Sequence, residues 1–178
     1  VNELWRDLKP KSPYAEIKLL EEKILKKNSK KLKYITYRFG TIAGVSKGMR
    51  FHTAVNRFSL EASLNNPLPI WKKMMYKPKP YLSLKDAFKV IKFTIEKNFF
   101  HNDIFNILSE NLTLYQIIKF LKQNNKKIKI EYINSKLINQ FAYTISNKKF
   151  STKAFKLSSK IKDDIKDTLK LLGNYNEM

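Results

Sequence analysis

The sequence contains no cysteine. Disulfides and thiolate metal ligands are therefore excluded, a usage compatible with a reducing, cytoplasmic setting. Histidine occurs only as His52 and His101, far apart and in no ligand-like spacing, so no metal site is expected. Arginine is scarce too, with only Arg6, Arg38, Arg50 and Arg57. Glycine is limited to Gly40, Gly44, Gly48 and Gly173. No apolar run approaches the roughly 18 residues that argue for a membrane helix. The opening VNELWRDLKP has no signal-peptide character. It starts on Val1 rather than Met, which is expected of a chain that begins within a gene or has been cut.

Lysine, in contrast, is abundant. Of 36 basic residues, 32 are lysine; with 15 acidic residues the net charge is +21. Such a balance points to polyanions. Specific readers of nucleic acid rely on the bidentate fork of arginine, however, so its scarcity argues against nucleic-acid binding. Lysine replacing arginine on solvated faces gives the same composition. With 43% hydrophobic and 13% aromatic residues, the 178-residue chain can fill a core and is not expected to be disordered.

The pattern alternates between the two periodicities. Ser12 with Pro13 reads as a helix cap and first position, with the helix running to about Lys27 and Ile17, Leu20 and Ile24 along one face. LKYITYRFG is β-branched and aromatic and reads as a strand, and TIAGVSKGMR as a loop. FHTAVNRFSLEASL reads as a helix stopped by NNPLP, with LPIW as a short strand. KPKPYLSL is extended, since each proline biases its predecessor away from helix. LKDAFKVIKFTIEKN places Ala87, Val90, Ile91, Thr94 and Ile95 on one helical face. DIFNIL reads as a strand, TLYQIIKFLKQ as a helix capped by Thr113, KIKIEYI as a strand, and residues 162–172 as a last helix ended by Gly173. The alternation predicts an α/β fold with some parallel sheet.

Four tyrosines precede a lysine by four residues: Tyr14–Lys18, Tyr81–Lys85, Tyr115–Lys119 and Tyr132–Lys136. On a helix, residues four apart are neighbours. A nearby ammonium favours the phenolate and brings its proton affinity, normally near a pKa of about 10, toward the working range of an acid/base. Tyr132–Lys136 leaves a strand and Tyr81–Lys85 straddles a strand-to-helix junction. Tyr115–Lys119 reads as amphipathic surface. Tyr14–Lys18 alone opens a capped helix that is followed by a strand ending in RFGTIAG.

SPYAEIK (12–18) resembles the active-site helix of the extended short-chain dehydrogenases/reductases, which include the NAD-dependent sugar-nucleotide epimerases and dehydratases. YRFGTIAG (37–44) is similar to the segment that follows it there, typically R-P-x-N-V-x-G. KPYLSLKDA (79–87) is similar to a later R-P-Y-I-H-V-D-D-x, and DIFNILSENLT (103–113) to a Y-N-x-G strand before a capped helix. The four segments keep the family's order and span essentially the whole chain.

The resemblance implies an NAD(P)-dependent nucleotide-sugar epimerase or dehydratase. Tyr14 would be the acid/base and Lys18 would hold the cofactor ribose and tune Tyr14. Phe39, Gly40 and Thr41 would lie along the nicotinamide, with Thr41 also at the sugar. Pro69, Ile70 and Trp71 would cover the nucleotide base, His52 would approach the substrate nucleotide, and Lys79 would stand where an arginine grips the diphosphate. Thr41 replaces a common asparagine, Ser83 a common histidine and Lys79 that arginine, while a second arginine is absent from 139–146. The family's Gly-x-x-Gly-x-x-Gly turn, whose N–H groups reach the pyrophosphate, is not present either. The fold expected is thus the C-terminal part of a Rossmann-like enzyme with a smaller α/β substrate-binding lobe. Residues 1–48 would belong to the Rossmann-like domain and 49–178 mainly to the lobe, with 84–108 returning to the sheet. Such a truncated chain would need NAD or NADP to be held with the missing half supplied. It is expected to be poorly stable alone, or to pair with that half or as a homodimer. The alternative from another class is a basic, non-catalytic module for nucleic acid or another polyanion.

Overall fold

The computed structural model describes residues 2–3, 10, 12–125, 127–133 and 142–173. Lys136, and Asn139 with the rest of 139–141 where a second arginine is sought, lie outside the described residues, as does Val1.

Helix α1 (Pro13–Lys27) starts as its sequence predicts: the Ser12 hydroxyl accepts from the Ala15 N–H, and Pro13 fills the first turn. None of its residues is buried, and Ile17, Leu20 and Ile24 are each more than half exposed. A bidentate ion pair holds it to the next element. Arg38, on β1 (Ile35–Phe39), donates to both carboxylate oxygens of Glu22 at 2.7 and 2.6 Å. β1 runs parallel to β5 (Asp103–Ile107), from Ile35 opposite Asp103 to Phe39 opposite Ile107. Its other edge has no strand partner among the described residues.

A second layer is built on β4 (Lys79–Ser83), with β2 (Thr41–Ala43) parallel on one side and β6 (Glu110–Leu112) antiparallel on the other. A third pairs β3 (Leu68–Ile70) in parallel with β7 (Ile130–Tyr132). Helices α2 (Ala54–Ser63), α3 (Leu84–Glu96), α4 (Leu114–Asn124), α5 (Lys148–Lys153) and α6 (Ile161–Gly173) complete the described residues. A 3-10 turn spans Lys72–Met74. The fold is α/β, with three parallel strand pairs among the described residues, as the alternation predicts. β2, β6, the 3-10 turn and α5 were not expected; TIAGVSKGMR is a loop only after Ala43.

Two apolar clusters lie on either side of β4. Tyr81 packs with Val55, Phe58, Leu68, Ile117 and Ile165, whereas the adjacent Leu82 joins Val90, Phe105, Ile107 and Phe150. The alternation of side chains along a strand sends consecutive residues into separate cores. The second core is rich in edge-to-face rings, Phe150 meeting Phe105, Phe155 and Tyr37. On α3 only part of the anticipated face is covered. Ala87, Val90 and Thr94 are buried, but Ile91 and Ile95 are exposed, as is Phe88 beside them.

Two glycines are required by geometry. A Cβ on Gly40 would stand 3.1 Å from the Pro80 carbonyl, so the crossing from β1 to β2 needs none. Gly44 has a φ of +131° and would meet the Leu84 side chain and the Asp164 carboxylate at 3.1 and 3.2 Å. Asp164, from α6, is buried and accepts a 3.0 Å bond from Ser83 at the end of β4.

Candidate binding cavity

The β2–β4 register sets Thr41 beside Tyr81, and Lys79 lies two residues earlier on the same face of β4. Opposite them, α2 begins at Thr53, and Arg57 follows one turn later, four residues on. β3 and the 3-10 turn close a third side. These elements enclose a cavity of about 230 Å³. Five of the residues singled out in the sequence line it: Thr41, His52, Pro69, Trp71 and Lys79.

Ile70 does not. It is fully buried in the first core, because Pro69 and Trp71 face the cavity and strand alternation turns the residue between them away. Ile70 thus lies outside the cavity that its two neighbours line. Phe39 and Gly40 do not line the cavity either. Phe39 stacks on Tyr37 with ring centroids 5.9 Å apart, and Gly40 is buried under β4, its N–H donating to the Ile107 carbonyl.

Two cations at the cavity went unnoticed in the sequence. Arg57 and Lys77 join Lys79 there, with no aspartate or glutamate among the described lining residues. Arg57 is engaged only loosely, with 3.8 Å to Glu61. Burial holds the Lys79 ammonium below the usual lysine range. Lysines are so common here that Lys77 gives no contrast; Arg57, one of four arginines, did offer a signal.

Two buried polar atoms at the same cavity find no hydrogen-bond partner among the described residues: the Thr53 hydroxyl and the Trp71 indole N–H. Thr53 stands at the N-cap of α2 yet makes no capping bond. Buried donors are normally paired, so these two leave hydrogen-bonding capacity at one concave site. Three cations, the start of a helix and an indole face together suit an anion that carries a ring.

Tyr14 and Lys18 lie apart from this cavity, on α1. Tyr14 is 71% exposed, and the Lys18 ammonium sits 5.7 Å from its ring centroid. Lys18 is hydrogen-bonded to Glu21 at 2.8 Å, and that bond raises its pKa above the ordinary lysine value. The two do share a helix face, as their spacing requires.

Neither a protein-family model nor a curated protein matches this sequence. Solved structures do match the fold. UDP-glucose 4-epimerase from Thermotoga maritima, solved with UDP-glucose, superposes with a TM-score of 0.80 at 18% identity, over 94% of this chain and 55% of that one. UDP-glucuronic acid 4-epimerase from Bacillus cereus, in complex with UDP-glucuronic acid and NAD, gives 0.81 at 19%, over 97% and 56%. dTDP-glucose 4,6-dehydratase from Bacillus anthracis, in complex with NAD, gives 0.77 at 18%, over 96% and 54%. The chain thus spans little more than half the length of the structures it matches. Its fold is that of the extended short-chain dehydrogenases/reductases of the epimerase and dehydratase type, over that portion of their length.

Proposed function

We propose that the chain is the substrate-holding portion of an NAD(P)-dependent nucleotide-sugar epimerase or dehydratase. The observation that carries this reading is the convergence at one cavity of Trp71, Lys79 and Arg57 with two donors, on Thr53 and Trp71, that find no partner among the described residues. Trp71 and Pro69 offer apolar surface to a nucleotide base. Lys79, Arg57 and Lys77 offer charge to a diphosphate, and Arg57 stands in for the second arginine that the sequence lacks at 139–146. A lysine at 79 keeps the charge and gives up the bidentate fork, so Arg57 is the residue able to make a two-point contact.

A complete dinucleotide does not fit the described residues. Gly40 is taken up by the close approach to β4 and Gly44 by Leu84 and Asp164, and no glycine turn opens a helix. No hydride step is therefore assigned to this chain. The proton-moving role goes to Tyr14, with Lys18 positioned beside it and Glu21 fixing that ammonium. The phosphate cradle for NAD or NADP would come from the length of the matched structures that this chain does not span.

Calorimetric titration of the chain with UDP-glucose, UDP-glucuronic acid and dTDP-glucose tests the reading. Saturable binding is expected for at least one, weakened about tenfold by Lys79→Gln or Arg57→Gln, the loss of one charge-assisted hydrogen bond. Tyr14→Phe should leave the affinity unchanged, since Tyr14 does not line the cavity. Absence of saturable binding to all three would overturn the proposal.

A further inference from the structure

Three tyrosines are gathered at a second concavity of about 320 Å³. Tyr76 is 73% exposed, Tyr115 50% and Tyr132 58%. Of the described tyrosines, these are three of the five that are largely exposed. Their gathering is not accidental to the fold. The Tyr115 N–H donates to the Met75 carbonyl at 3.0 Å, which ties the start of α4 to the chain after the 3-10 turn. Beside that bond the Tyr76 and Tyr115 rings lie 5.4 Å apart, tilted by 36°. Tyr132 arrives from β7 through its pairing with β3. The floor is apolar, made by Met75, Ile118 and Ile130.

The rim is basic. Lys119 and Lys122 follow Tyr115 by four and seven residues on α4, so all three share one helix face. Both lysines are exposed, and no acidic residue among the described residues lines the groove. The Tyr115–Lys119 spacing thus marks a ring and a charge that face the same groove.

We propose that this groove binds single-stranded nucleic acid, with bases stacked on the tyrosines and phosphates tracked by Lys119 and Lys122. The scarcity of arginine argues against reading base edges in a duplex, because that task needs the fork. Stacking with lysine contacts to the backbone does not need it. The positive field of a +21 chain favours the approach of such a ligand.

The test is fluorescence polarisation of a labelled dT15 strand with the full chain at several salt concentrations. Tyr76→Ala/Tyr115→Ala should weaken binding about tenfold, while Tyr76→Phe/Tyr115→Phe, which keeps the rings, should retain it. Lys119→Gln/Lys122→Gln should lower the slope of log affinity against log salt by about 1.4, as expected for two phosphate contacts on a single strand. Far-UV circular dichroism on each variant keeps a folding defect from passing as lost binding, and Tyr132→Ala serves if the double variant misfolds. Three outcomes overturn the proposal. Heparin could compete while the alanine variants bind dT15 as the parent does, which is surface charge alone. Excess UDP-glucose could displace the strand, which places it in the first cavity. Or a neutral glucan could bind with the same tyrosine dependence while dT15 does not.

Discussion

Asp164 shows what a single buried group can do to this chain. Burial, the largest influence, raises its carboxyl to about 6 from the ordinary aspartate range, against the opposing hydrogen bond from Ser83. One oxygen accepts that bond and the other has no partner among the described residues. A raised carboxyl stabilises the fold when protonated, and that contribution is lost as pH rises through about 6. Two pKa units correspond to about 3 kcal/mol. Thermal melts should therefore show Asp164→Asn more stable than the parent at pH 7.5 and close to it at pH 4. An equal effect at both pH values would refute the assignment. Sequence offered no route to this group, since Ser83 and Asp164 meet only through folding. The cavity was more legible: Pro69, Trp71, Lys79, His52 and Thr41 were reached by resemblance, and all line it. Ile70 lies outside it for a reason readable beforehand, because a three-residue strand cannot turn consecutive side chains to one side.

Among the elements, those with strong local signals were the ones found. Thr113 caps α4 with a full capping box, its hydroxyl accepting from the Gln116 N–H while Gln116 accepts from the Thr113 N–H. Replacing Thr113 with alanine should cost about 1 kcal/mol in denaturant unfolding. The strands β2 and β6 escaped because each has three residues and exists only through pairing with β4, a contact far away in the sequence. Helix α1 is the opposite case: clear in the sequence, weakly held in the structure. With no fully buried residue of its own, it depends on the Glu22–Arg38 pair, whose side chains are partly buried. Removing one partner leaves the other charge poorly solvated. Glu22→Ala should thus speed limited proteolysis within α1 by tenfold or more while the remaining chain stays protected. Cleavage at parental rates would show that other contacts hold the helix.

The whole molecule exposes more apolar surface than its elements can cover. Ile17, Leu20 and Ile24 on α1, and Phe88, Ile91 and Ile95 on α3, face outward, and one edge of β1 has no strand partner among the described residues. Such edges and stripes favour association. Sedimentation velocity is expected to show self-association that grows with concentration, reduced by Ile91→Lys/Ile95→Lys. A monomer at every concentration would contradict this.

β4 separates the two cores, giving Tyr81 to one and Leu82 to the other, while Ser83 anchors α6. Neither core can melt without releasing the strand that both use, so the chain should lose its structure in one cooperative step. The backbone amides of β4 are then expected to be among the last to exchange with deuterated water, at the rate of global unfolding. A ligand in the cavity, touching only Lys79 and Tyr81 of that strand, would slow exchange in the aromatic core around Phe105 as well, though it never reaches a single ring there.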